Sequence, residues 1–476
     1  MANQYRIANY LISAQDEGFE ELLATIHNTA YRPLCLCKGE PGIPMYVAHV
    51  GEHFIIKRMP DSGNQHAPDC NSFEPPCELS GLGDVLGSAI QCNEEDGTTS
   101  LKFDFSLSKT TGRTPTPGSG GEASSVRTDG KRLTLRGTLH YLWEEAGFNR
   151  WFPAMAGKRN WYTIHQHLLL AAEGKLSKGK PLSDTLFVPP PFFVDRKAEI
   201  SHRRWERLTK VAAAEKGPRD LMLLIAEVKD IVPGRVGQKL IAKQLPDFPF
   251  LMDAQLHNRF MKAFKGEWDL FKAIDTTHLL AIGTFGVSPN GVASLEELSV
   301  IVVDEHWLPI ESMFEKELVE KLTDQKRCFL KVLRYNLASN IPVAATVLLD
   351  TRPKGVAMYI IPPALAEDEE YKKGLEELIM ASTLDAWVWL PGQGEMPPLP
   401  GLTEAERGTN PTLPLPVEIH SSPEPFPADS PPGDAAAPIP AETVRAAAAD
   451  PIETIPPVPE ESIHETPIPD MSDLPF

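Results

Sequence analysis

The chain has 476 residues, with 65 acidic against 46 basic side chains for a formal charge of −19, and 45 prolines and 33 glycines. A hydrophobic share of 42% suffices to bury ordinary cores, so a disordered protein is excluded for the whole, and the length leaves room for two or three domains. The opening MANQYRIANYLISAQDEGFE has no basic stretch followed by an apolar run, and no segment approaches the roughly 20 apolar residues of a membrane span, so a soluble, cytoplasmic protein without membrane contact is expected.

Residues 1–107 read as a small domain on β-hairpins. Met45–Val50 joins His53–Arg58 through Gly51-Glu52, two short apolar segments around a turn. Residues 108–130 are almost free of apolar side chains and read as a flexible linker. Residues 131–220 form a basic helical segment. Leu139, Leu142, Trp143 and Ala146 share one helical face, and after Gly147 the residues Trp161, Ile164, Leu168 and Ala172 share another. Such a pair suits a winged-helix module or a plain helical subdomain.

Residues 221–390 read as a mixed α/β domain. LMLLIAEVKDIV, HLLAIGTFGV and LEELSVIVVD read as strands, as do CFLKVLRY, ATVLLD and VAMYII further on. Leu256, Phe260, Phe264, Trp268 and Phe271 lie on one face of a long helix running to about Ile274; Phe314, Leu318 and Leu322 mark another, and a last helix spans about Glu369 to Met380. From Pro391 to Phe476 there are 21 prolines and 15 acids against Arg407 and Arg445, the signature of a disordered acidic tail that could recruit a protein partner. The expected class is therefore α+β: a small metal-bound hairpin domain, a helical middle, a mixed sheet with helices, and a tail.

Cys35-Leu-Cys37 and, beyond the hairpin, His66-Ala-Pro-Asp-Cys70 carry the strongest chemical signal. Residues two apart on a strand face the same way, and residues four apart meet once a helical turn forms, so the four make a Cys3His set. Thiolate and imidazole suit structural zinc, and four protein ligands leave no open position for catalysis. Cys77 offers a substitute for Cys70; Cys92 and Cys328 read as core or incidental thiols.

CLCKGE with HxxxC behind it, together with RCFLKVLRYN and VLLDTRPKG, resembles a bacterial family of unknown function defined by three N-terminal cysteines, matched here by Cys35, Cys37 and Cys70. The resemblance runs from about Tyr31 to Leu390. It implies a setting, since members often accompany integrative and conjugative elements, but no activity.

The order helix, strand, strand ending in Asp, strand is similar to a PD-(D/E)xK nuclease core, in which two acids collect Mg²⁺ and a Lys assists the attacking water. Glu317 and Asp350 match the first two positions, but VAMYII supplies neither acid nor Lys, which implies a different or inactive core. Asp220, Glu227 and Lys229 form a rival triplet of ExK form, read chiefly as a salt-bridged strand end. Phosphate loops, dinucleotide-binding glycine patterns and serine nucleophile elbows are absent from the sequence.

Residues 126–240 hold 21 basic against 12 acidic side chains, a charge of +9 within an acidic protein. Lys158, Arg159, Arg203, Arg204, Arg207 and Lys210 are its candidates for holding the phosphates of DNA or RNA. The expectation that follows is a zinc-containing accessory protein of a bacterial mobile element that binds nucleic acid without catalysis. The alternatives are a Mg²⁺-dependent nuclease and a scaffold acting through its acidic tail.

Overall fold

In the computed structural model, the described residues run from 4 to 401, apart from short stretches, of which 110–129 and 212–218 are the longest. The linker and most of the tail lie outside them. Among the described residues the chain is a mixed α+β protein, and its sheets draw on segments far apart in sequence.

Apolar runs form the centre. The strand Met222–Pro233 is 12 residues long and buried over its first seven. Through Met222–Val228 it pairs antiparallel with His278–Val287, and through Val228–Pro233 with Gln238–Ala242. Gln238–Ala242 pairs with Phe250–Met252, which runs parallel to Ala293–Val303, and that strand pairs back onto His278–Val287. Five strands thus close into a ring. Met222, Leu224, Ala226 and Val228 join the larger core, and Leu223 and Ile225 join a second core with Leu139, Leu142 and Trp143 of the helix Leu135–Glu145. Alternate side chains of one strand therefore serve two cores.

That helix buries Leu135 and every residue from Gly137 to Trp143, which leaves no face free to read a duplex. The helix pair is thus part of the packed body rather than a projecting recognition module. The expected long helix is broken: Ala254–Ala263 and Lys265–Ala273 are separate, with Phe264 at φ −121° ending one and starting the next. Gly266, a poor helix former, follows the break. Phe260 stays buried, and Phe264, Trp268 and Phe271 still pack against the core, so the apolar stripe survives the interruption.

The last sheet is a meander of Phe329–Lys331, Thr346–Leu348 and Val356–Ile360, extended by Asp385–Trp389 running parallel after the helix Glu369–Ala381. Its far edge is Arg150–Trp151, from the helical segment. Residues 391–401, assigned by composition to the tail, lie against this sheet: Trp387 Nε1 donates to Pro398 O at 3.1 Å, and Arg327 Nη1 to Pro400 O at 2.7 Å. At the other end of the chain, Tyr10–Ser13, Gln4–Ile7, Leu34–Cys35, Ile43–Val50 and His53–Arg58 form a five-stranded sheet containing the expected hairpin. Tyr5, Cys35, Met45 and Cys70 belong to the larger core, so this sheet shares apolar packing with the rest of the chain.

No helix among the described residues is long and apolar enough to cross a membrane.

Candidate metal centre

Cys35 ends the two-residue strand Leu34–Cys35, held between Tyr5 and Ile43. The chain then leaves the sheet, and Gly39 N donates to Leu36 O at 2.9 Å to close the turn past Cys37. Gly42 returns it at φ +87°, where a Cβ would sit 2.9 Å from Leu34 Cβ, so only glycine fits. On the opposite limb a single 3₁₀ turn, Gly63–Gln65, delivers His66. A Cβ on Gly63 would meet Glu74 Cβ at 2.6 Å, so the two ends of this limb close on each other. Two further turns, Cys70 N to Ala67 O at 2.9 Å and Phe73 N to Cys70 O at 3.0 Å, aim the Cys70 sulfur inward.

The ligand atoms of Cys35, Cys37, His66 and Cys70 all lie within 4.8 Å of one another, an arrangement that could hold a metal ion. Cys35, His66 and Cys70 are buried and Cys37 is half-buried. Cys35 Sγ and Cys70 Sγ are 3.8 Å apart; His66 Nδ1 is 3.5 Å from Cys37 Sγ and 3.6 Å from Cys70 Sγ. A tetrahedral zinc with sulfur at about 2.3 Å and nitrogen at about 2.0–2.1 Å requires S–S edges of about 3.8 Å and S–N edges of about 3.6 Å. The donor set therefore fits that ion in both kind and spacing. Backbone amides face two of the sulfurs, Ala67 N to Cys37 Sγ at 3.3 Å and Ser72 N to Cys70 Sγ at 3.4 Å, and such donors favour thiolates.

Without a cation, three sulfurs this close cannot all carry charge. Hydrogen bonds from Cys35 and Cys70 hold Cys37 far below the ordinary thiol range. Hydrogen bonding to Cys37 and Cys70, with burial, pushes Cys35 far above it. Cys70 is drawn down by Cys35 and pushed up by Cys37 and burial, to about 11. Cys77 stands outside the four-membered set, at the start of the short turn Cys77–Leu79; Cys92 is exposed and Cys328 buried.

The carboxylates of the nuclease readings are not brought together with free coordination. Asp350 is buried and saturated: Arg327 grips it with Nε at 3.0 Å and Nη2 at 2.7 Å, and Cys328 N donates at 2.7 Å. Glu317 is on the exposed side of the helix Met313–Asp324, whose Leu318 and Leu322 point inward. Glu227 is buried, with Lys243 Nζ at 2.6 Å, Gln244 Nε2 at 3.2 Å and His278 Nδ1 at 2.5 Å. Lys229, expected on the same face, is exposed, because the pairing shifts register between Val228 and Asp230. Asp220 is exposed on a short strand paired with Ser108–Lys109.

The basic candidates divide. Arg159 points inward, donating to Phe148 O at 3.0 Å and His306 O at 3.1 Å, and burial lowers it to about 10. Arg204 pairs with Asp247 at 3.2 Å and lies over the Phe248 ring. Arg207 donates to Ser183 O at 2.8 Å and Leu186 O at 2.6 Å. These three hold the fold together and are not offered to phosphate. Lys158 and Arg203 are exposed, Arg203 paired with Glu199 at 2.8 Å, and Lys210 lies outside the described residues.

Arg150 plays a part that sequence reasoning missed. Its guanidinium donates to Cys70 O at 3.3 Å and to Phe73 O, while its strand borders the last sheet, so it ties the metal loop to that sheet. Its place directly before the buried Trp151 is the one signal the sequence held.

Residues 5–392 match a family described as "Protein of unknown function (DUF1173)". No curated protein and no solved structure matches the chain.

Proposed function

The chain belongs to the DUF1173 family, and on that footing we propose that it is a zinc-containing protein that works by binding rather than by chemistry at its metal. The observation that carries this reading is the closed Cys3His cluster, whose spacings of 3.8, 3.5 and 3.6 Å fit a tetrahedral ion with no position left for substrate. The experiment is metal analysis of gently purified protein, followed by cobalt replacement. One zinc per chain, and the absorption bands of tetrahedral thiolate-bound cobalt, support the proposal; absence of stoichiometric metal overturns it.

Nucleic acid is the partner that the charge pattern supports. The +9 segment keeps exposed bases after the inward arginines are set aside: Lys158 and Arg203, with Lys131, Arg132, Lys178 and Lys180. The mobile-element setting rests on the family resemblance alone. Titrating labelled duplex and single strand at two salt concentrations tests the partner. Binding through phosphates gives a log–log salt slope of about −0.9 per duplex contact; no binding to either at low salt removes nucleic acid from the reading.

A further inference from the structure

Beyond the thiol cluster, a second group of polar atoms converges on a cleft bordered by Glu74, Glu144, Asn149 and Lys331. The residues come from three places: the end of the metal loop, the last turn of the helix Leu135–Glu145 with the segment that follows it, and the first strand of the last sheet. Their state differs from that of Asp350 or Glu227. Glu74 uses Oε1 for Arg58, and Glu144 uses Oε2 for the Tyr335 hydroxyl at 2.5 Å. The second oxygen of each has no hydrogen-bond partner among the described residues. Burial, and after it the charge of Glu74, push Glu144 up to about 7, with Arg58 acting in the opposite sense.

Asn149 supplies an independent sign of a missing ligand. It is 5% exposed and lines the cleft, yet its side-chain amide has no hydrogen-bond partner among the described residues. Buried amides are ordinarily satisfied by protein, water or ligand. Lys331 does not answer these groups, because its Nζ is engaged by Glu315 at 3.3 Å and by Val332 O at 3.0 Å. Tyr335 itself is held at φ +51°, with its N–H on His140 Nδ1 at 2.9 Å, so the group that orients Glu144 sits in a strained conformation that the surrounding fold maintains.

We propose that this cleft binds a divalent cation through the free carboxylate oxygens of Glu74 and Glu144 and the amide oxygen of Asn149, with water completing the shell. All-oxygen donors select a hard ion such as Mg²⁺, Mn²⁺ or Ca²⁺ rather than the thiolate-seeking ion of the Cys3His cluster. The site has residues distinct from that cluster and does not depend on the zinc reading.

Mn²⁺ is the probe. It is titrated into full-length protein, free Mn²⁺ is followed by electron paramagnetic resonance, and bound zinc is assayed in the same samples. One saturable Mn²⁺ site displaced by Mg²⁺ or Ca²⁺ is expected, weakened at least tenfold by Glu144→Gln and by Asn149→Ala while zinc content and circular dichroism stay unchanged. Glu144→Gln retains an acceptor for Tyr335, and Asn149→Ala removes a side chain with no protein partner, so both variants leave the fold's own bonds in place. Absence of a saturable site, or affinity unchanged in both variants, overturns the proposal. Loss of Mn²⁺ binding with zinc retained bears on the cleft alone.

Discussion

The thiol cluster and the Asp350 corner are both buried, both built from chemistry-bearing residues, and opposite in kind. At Asp350 every acceptor position faces a protein donor, with Arg327 and the Cys328 amide closing the charge inside the fold. At Cys35, Cys37, His66 and Cys70 the ligand atoms face one another, and no protein cation stands among those hydrogen-bonded to them. A site for a ligand shows itself by what its polar atoms lack. By that measure Asp350 is a structural ion pair, and the thiol cluster is an incomplete shell.

Four experiments would sharpen or break this contrast. The largest effect is expected at the cluster: Cys35→Ser or Cys70→Ser should abolish stoichiometric zinc and unfold the loop around it, since structural zinc is worth on the order of 10 kcal/mol in small sites. Metal content and thermal melting check it, and a variant with normal zinc would dissolve the contrast. Next, Asp350→Ala should cost about 3–5 kcal/mol by leaving Arg327 buried and alone, with zinc content unchanged; denaturant unfolding reads this. A Asp350→Ala protein of normal stability would mean that the pair is not the structural element described.

Asp304 gives an effect that depends on pH. Burial pushes its carboxyl up to about 7, although the backbone amides of Leu308 and His306 favour its charge. A carboxyl raised on folding contributes stability that is present below its unfolded value and lost as pH rises through about 7. Asp304→Asn should therefore flatten the fall in melting temperature between about pH 4 and 7, and an unchanged profile would refute the assignment. The smallest effect separates the arginines. Arg203→Ala, on the surface, should change stability by less than about 0.5 kcal/mol, whereas Arg159→Ala should cost several-fold more because it strips donors from Phe148 and His306 carbonyls. Equal melting temperatures would place Arg159 at the surface after all.

Much of this was legible in residue order. His278–Val287 coincides with the apolar run HLLAIGTFGV, and the Cys3His set follows from two short spacings, because both signals are local. The inward turn of Arg159, Arg204 and Arg207 was not legible, since a basic side chain reads alike whether it meets phosphate or a buried carbonyl. The Glu74–Glu144 cleft was hidden for a related reason: its members lie some 70 residues apart in the chain and belong to no motif. The packing of residues 391–401 escaped because proline-rich composition predicts tail, while Trp387 and Trp389, whose indole N–H groups reach Pro398 and Gly394, lie just upstream of it. Ring closure by Met222–Pro233 required knowing that one strand serves two partners on successive halves.

That closure sets the order in which the molecule comes apart. With hydrogen-bonded neighbours along Met222–Val228 on one side and Val228–Pro233 on the other, the strand cannot peel from an edge. Its amide protons, and those of Leu279–Phe285, should exchange with solvent only when the whole molecule opens, while the outlying strand Tyr10–Ser13, with Tyr10 and Leu11 in water, exchanges through local fraying. The slowest amides in the protein then report global stability directly.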